Sequence, residues 1–161
     1  VNKIQFIQIG TVHTPFKEAK GTPIQPGAAA GIEGTIEVFQ EYSEGLKDLE
    51  GFSHIILVYH FHRVRNTSLE IIPFMDDKKH GIFSTRAPNR PNPIGISVVR
   101  LTGIEGNILH VKNLDILDGT PLLDIKPYIP EFDLQAVDGK GWLENNIGKL
   151  PSSKDDGRFE K

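Results

Sequence analysis

No cysteine occurs anywhere in this chain, which removes disulfides, thiolate metal sites and a cysteine nucleophile together. The absence agrees with a reducing compartment, and the cytoplasm is the expected setting. No apolar run approaches the roughly 20 residues that a membrane-spanning helix needs, so no membrane partner is expected. The opening residues Val1-Asn2-Lys3-Ile4 alternate polar and apolar and lack the apolar core of a signal peptide. Internal repeats, low-complexity tracts and the glycine pattern of a dinucleotide fold are missing too. Helical periodicity is scarce, and only residues 42–50 promise one or two turns, ended by Gly51. Acidic residues are absent from a single long stretch, Lys78 to Ile104, where Lys78, Lys79, Arg86, Arg90 and Arg100 all fall. The net charge of −3 argues against binding nucleic acid through bulk charge. A local basic face remains compatible with one anionic ligand or a docked RNA.

What is present is a series of short extended runs. At 161 residues the chain suits one domain with a tail. Residues 4–9, 34–39, 94–101, 108–111 and 122–128 read as strands from their β-branched content and flanking turn residues. His54-Ile55-Ile56-Leu57-Val58-Tyr59-His60-Phe61-His62 is the most hydrophobic run, and it reads as a central strand buried on both faces. Glu105-Gly106-Asn107 has hairpin-turn chemistry. Many short strands with one weak helix predict a mainly β fold, a closed or nearly closed barrel with one or two short helices. The barrel domain is expected over residues 1–133. Residues 134–161 form a polar, partly flexible C-terminal tail with Trp142 as its large anchor and a frayed end from residue 152.

Three loops carry candidate chemistry. The stiffest is Arg86-Ala87-Pro88-Asn89-Arg90-Pro91-Asn92-Pro93, whose prolines exclude helix and central strand and restrict the residues before them. A pre-ordered loop loses less entropy on binding, and two arginines on it suit an anion or nucleotide. The others are Gln25-Pro26-Gly27, in a long loop rich in proline and glycine, and Asp118-Gly119-Thr120. If a barrel brings these loops to one rim, they line a single pocket. Gly95, inside an expected strand, suggests a bulge or the close approach of a ligand.

Other constellations weigh less. His54, His60 and His62 invite a metal reading, yet a third ligand is not placed by the sequence, and no metal is expected. Ser84 near His80 lacks the strand–elbow–helix context of a hydrolase nucleophile. Asp115, Asp118 and Asp124 could pair as carboxylates, although Asp-Gly-Thr-Pro is equally ordinary turn chemistry.

At these same residues the chain resembles the TrmO/YaeB family of tRNA methyltransferases. The matching pieces include Ile9-Gly10-Thr11-Val12-His13-Thr14-Pro15-Phe16, Gln25-Pro26-Gly27, Gly81-Ile82-Phe83-Ser84-Thr85-Arg86, Arg90-Pro91-Asn92-Pro93-Ile94-Gly95-Ile96-Ser97, and Leu117-Asp118-Gly119-Thr120-Pro121 with Asp124-Ile125-Lys126-Pro127-Tyr128. The resemblance implies a single-sheeted β-barrel, S-adenosyl-L-methionine as cofactor, a homodimer with the cofactor pocket near its interface, and tRNA as substrate. The implied reaction is methylation of N6 in N6-threonylcarbamoyladenosine at position 37, beside the anticodon. Carried over by position, cofactor contacts come from Gln25, Pro26, Gly27, His62, Arg63, Arg86, Ile96, Leu117, Asp118, Gly119 and Thr120. Arg86 and Arg90 would orient an anionic group of the substrate, and Asp118 or Tyr128 would serve as general base. Bacterial members carry a further C-terminal domain where this chain has at most a short tail. The rival expectations are a module that binds S-adenosylmethionine or RNA without catalysis, and a metal-dependent hydrolase built on His60 and His62.

Overall fold

The computed structural model describes residues 2–160. Its strands are β1 (Gly10–His13), β2 (Glu33–Val38), β3 (His54–His60), β4 (Glu70–Ile71), β5 (His80–Gly81), β6 (Ile94–Glu105), β7 (Ile108–Lys112) and β8 (Thr120–Pro127). Six of them close into an antiparallel barrel in the order β1-β2-β7-β6-β3-β8, with β8 returning to β1. The pair β4–β5 stands apart as a small hairpin within the long β3–β6 connection. Helical structure among the described residues is confined to short pieces: α1 (Pro130–Asp133) and several 3-10 segments, among them Gln40–Leu46 and Leu49–Gly51 where a short helix is expected.

Period-two alternation explains the barrel. Along β3 the inward residues are Ile55, Leu57 and Tyr59, and along β6 they include Ser97, Val99 and Leu101. Val12, Ile36, Val38, Leu109, Val111 and Leu122 complete the interior, joined from the loops by Leu114 and Ile116. Each buried aliphatic side chain of this kind contributes about 1.5–3 kcal/mol over its exposed state. The 54–62 run is therefore half-buried in alternation and not covered on both faces. A one-sheet barrel has only one packed face to offer, so Ile56 and Val58 point outward and are only partly covered.

The expected first strand is also displaced. Pairing begins only at Ile9 and Gly10, where Ile9 donates to the Leu122 carbonyl and accepts from Phe39. Beyond that point β2 has already left the ladder at Val38, so residues 4–8 have no partner strand on that side. Their apolar side chains are left in solvent, with Ile4, Phe6 and Ile7 at 78%, 66% and 69% exposure.

Antiparallel closure places three connections at one end of the barrel: residues 14–32, 61–93 and 113–119. The opposite end holds the tight β6–β7 turn, the 3-10 turns before β3, and the residues following β8.

Candidate functional site

A cavity of about 890 Å³ opens at the end carrying the three long connections. Gln25, Pro26 and Gly27 of the first loop line it, as do His62 and Arg63 just past β3, Arg86 and Arg90 of the proline-rich loop, and Ile96 of β6. Leu117 reaches it from the β7–β8 connection and Thr120 from the start of β8. The volume lies within the range of small-molecule sites, and the wall is mostly apolar with a few polar groups.

The proline-rich loop is held from within. One guanidinium nitrogen of Arg90 donates to the carbonyls of Ile82, Thr85 and Ala87 at 3.3, 2.8 and 3.2 Å. Asn89 is buried and donates to the carbonyls of Asn66 and Phe159. Prolines cannot supply these internal bonds, so two polar side chains do. Arg86, by contrast, points away from the loop and donates to the Gln25 side-chain oxygen at 3.0 Å, joining two of the candidate loops across the cavity.

At the barrel mouth three polar side chains form a chain. Tyr59 and Ser97, both buried inside the barrel, are hydrogen-bonded at 2.9 Å, and the Ser97 hydroxyl donates to Asp115 at 2.6 Å. Because Ser97 gives its proton to the carboxylate, the Tyr59 hydroxyl is the donor to Ser97. Burial raises the Tyr59 phenol well above its ordinary range. Desolvation also pushes Asp115 up to about 6, opposed by the Ser97 hydrogen bond and the Arg86 charge. Gly95 makes this arrangement possible: a Cβ there would meet the Tyr59 ring at 2.3 Å. The close approach expected at that glycine comes from the chain's own tyrosine.

The C-terminal segment builds the remaining wall. Trp142 stacks on His80 with ring centroids 4.7 Å apart and donates its indole proton to the Ser84 carbonyl at 2.8 Å. Phe159 is buried with Ile82 and Ala87, packed against Phe74. The backbone of Gly21 and Thr22 exchanges hydrogen bonds with Asp155, and Pro23 bridges to Lys154. Trp142, Leu143, Ile147, Leu150 and Phe159 all line the cavity. Of the end expected to fray from residue 152, Lys154, Asp155 and Phe159 are held by these contacts, which are too distant in sequence to be read locally.

The family profile of the tRNA-methyltransferase O N-terminal domain matches residues 11–134, all of the barrel but Gly10. This chain belongs to the tRNA-methyltransferase O (TrmO) family. It is 64% identical over 151 residues to a probable S-adenosyl-L-methionine-binding protein of Pyrococcus abyssi, covering 94% of this chain and 82% of that one. It is 35% identical over 132 residues to the human tRNA (adenine(37)-N6)-methyltransferase, covering 78% of this chain but only 30% of the human protein. The crystal structure of TrmO from Pseudomonas aeruginosa superposes with a TM-score of 0.73 at 38% identity, over 88% of this chain and 63% of that one.

Within this TrmO fold the residues expected to act together divide into two sets. Gln25, Pro26, Gly27, His62, Arg63, Arg86, Ile96, Leu117 and Thr120 converge on the cavity. Asp118 and Gly119 stand beside it on the outer rim. Asp118 accepts the Thr14 amide at 3.0 Å and pairs with Lys17 at 2.6 Å. The Lys17 hydrogen bond holds its carboxyl below the usual range. Gly119 has a φ of +76° and donates its amide to Val12, so it serves as the turn that starts β8. Tyr128 lies at the other end of the barrel, bonded through its amide to His54, and within one subunit it is remote from the cavity. Asp124 pairs with Lys126. His80 is bonded to Asp76, and the Ser84 hydroxyl donates to the Gly81 carbonyl, so neither forms a nucleophile–base pair. Among the described residues no group of three or more His, Asp or Glu side chains is placed to hold a metal ion, and no helix is long and apolar enough to cross a membrane.

Asp115 and Tyr59 are the site residues that the motifs alone leave without a role. Their signal is positional: Ser97 is polar at an inward strand position, and Asp115 sits between the core residues Leu114 and Ile116.

Proposed function

We propose that this chain is an S-adenosyl-L-methionine-dependent tRNA methyltransferase that methylates N6 of N6-threonylcarbamoyladenosine at position 37. The observation that carries this reading is the convergence of three family loops on one cavity, where Gln25 and Arg86 are already joined. The names of its relatives support the cofactor and the acceptor base.

The residues present fit the cofactor. The cavity has the volume for a nucleoside joined to an amino acid, apolar walls for a purine, and both a carboxylate and guanidinium groups for a zwitterionic end. Gln25, Pro26, Gly27, His62, Arg63, Arg86, Ile96, Leu117 and Thr120 would hold it. When bound, it supplies an electrophilic methyl group on a positively charged sulfur. Methyl transfer is an in-line displacement, so the protein's main task is alignment. The loop stiffened by Arg90 holds Arg86 in place for that task. Arg63 and Arg86 are the guanidinium groups suited to a threonyl carboxylate or a phosphate of the acceptor.

A homodimer belongs to the same reading, and the exposed Ile4, Phe6 and Ile7 offer apolar surface for it. A tRNA acceptor sets the enzyme in the cytoplasm. The test is transfer of labelled methyl groups into tRNA with and without the threonylcarbamoyl mark. Label confined to marked tRNA supports the reading. Cofactor binding without any label would make the chain a binding module instead.

A further inference from the structure

The methyl acceptor in this reading is an N–H flanked by a purine ring and a carbonyl. Its lone pair is delocalised, so displacement at the methyl carbon needs the proton removed. A general base must face the cavity, be ionised at working pH and be held in one orientation. The two carboxylate and phenol candidates implied by motif, Asp118 and Tyr128, do not face it, as their partners Lys17 and His54 make plain.

We propose that Asp115 is the general base, taking the proton from the acceptor nitrogen while Ser97 and Tyr59 hold its carboxylate in place. This inference rests on the proposed substrate class. Asp115 lines the cavity at the barrel mouth, beside Leu117 and Thr120. Its Oδ1 is fixed by the Ser97 hydroxyl at 2.6 Å, and Ser97 is fixed in turn by Tyr59. The hydrogen-bonded chain ends at the Tyr59 phenol, which itself borders the cavity, so a proton accepted by Asp115 leaves by way of the cavity. In the step, the N–H bond breaks and an O–H bond forms on Asp115. The nitrogen pair forms the new N–C bond, and the pair of the broken C–S bond stays on sulfur, cancelling its charge.

The charge facing Asp115 is Arg86 from the proline-rich loop, and the uncharged partners are Tyr59 from β3 and Ser97 from β6. His62, Arg63, Arg90, Asp155 and Glu160 are the other ionisable groups around the cavity. Asp155 is also raised to about 6 by burial, but it accepts from the Gly157 amide and its own backbone is stitched to Thr22. It belongs to the C-terminal wall, and Asp115 to the barrel mouth. With Asp115 at about 6 the carboxylate is ionised at neutral pH and more basic than an ordinary aspartate.

The experiment compares the wild type with Asp115→Asn and Ser97→Ala on threonylcarbamoylated tRNA across pH 5–9, with S-adenosylmethionine affinity measured by calorimetry in parallel. The expected result is a wild-type rate that rises through about pH 6. Asp115→Asn should lose 100-fold or more in single-turnover rate, in line with the ~10²–10⁴ typical of a lost general base, with cofactor affinity within threefold. Ser97→Ala removes a donor that favours the ionised form, so its limb should move to higher pH. The proposal is overturned if Asp115→Asn transfers methyl at the wild-type rate, if its loss is matched by lost cofactor affinity, or if Asp155→Asn removes the limb instead. A wild type that binds cofactor and labels no tRNA would instead sink the substrate reading, and this inference with it.

Discussion

The two ends of the barrel are built from the same strands and have opposite interiors. At the end away from the cavity the inward side chains are aliphatic: Val38, Leu101 and Leu109, closed over by Leu46. At the cavity end the inward positions include Tyr59, Ser97 and Thr120, all nearly inaccessible to solvent. A buried hydroxyl costs free energy unless it is hydrogen-bonded, and here Tyr59 and Ser97 are satisfied by each other and by Asp115. The connections differ in the same sense. One end has a two-residue turn at Gly106 and Asn107, while the other carries three long loops and the docked C-terminal segment. One end serves closure, and the other gives up aliphatic packing for a polar mouth that opens on the cavity.

Both ends share the middle layer, so Leu57→Ala should cost the most, about 3–5 kcal/mol of stability by chemical denaturation. A smaller loss would mean that the ends fold independently of that layer. The proline-rich loop gives the next contrast. Arg90→Ala removes a donor shared by three carbonyls, of which only that of Ile82 keeps other donors, from Thr85, and should cost about 1–3 kcal/mol. Arg86→Ala should leave stability unchanged and weaken cofactor or tRNA binding about tenfold, which corresponds to 1.4 kcal/mol. If the two arginines exchange these phenotypes, the assignment of one to the loop and one to the cavity is wrong.

Asp115→Asn tests the polar mouth through stability alone. The folded-state value of about 6 lies above the ordinary ~3.9 of an unfolded aspartate. The native state therefore binds more protons, and stability falls as pH rises from about 4 through 6, then levels. Removing the charge should stabilise the protein by about 1–2 kcal/mol at pH 8 and give no gain at pH 4. Equal melting temperatures at both pH values would show that Asp115 suffers no burial cost. The smallest effect is expected at the far end: Tyr128→Phe removes only a hydroxyl from a half-buried ring outside the core, and should change stability by no more than about 0.5 kcal/mol and leave methyl transfer unchanged. A large loss of transfer would bring that end into the site, through a second subunit.

The strands of the barrel are legible because alternation and turn chemistry are local. Ile55, Leu57 and Tyr59 announce one face of β3, and Gly106-Asn107 announces the hairpin. Residues 4–8 mislead for the same reason: their composition suits a strand, but a strand also needs a neighbour, and β2 ends too soon to supply one. The loops Gln25-Pro26-Gly27, Arg86 and Thr120 were recognisable from their motifs, and the barrel set them around one cavity. Asp118 and Asp115 are both loop aspartates three residues apart, and only the apolar neighbours Leu114 and Ile116 mark Asp115 as the inward one.

By itself the sequence determined the mainly β class, the stiffness of the Arg-Pro-Asn-Pro loop, the turn at Gly119 and the family. These follow from dihedral restriction, period-two patterning and motif, which act over a few residues. Only the tertiary structure decided which arginine binds its own loop, which aspartate faces the cavity, and that Trp142 and Phe159 form a wall. Those outcomes depend on which groups meet, and the separations range widely: Ser97 meets Asp115 across 18 residues, Trp142 meets Ser84 across 58, Arg86 meets Gln25 across 61 and Asn89 meets Phe159 across 70. The energy of a hydrogen bond or a buried charge is set by the neighbours that closure of the barrel brings to it.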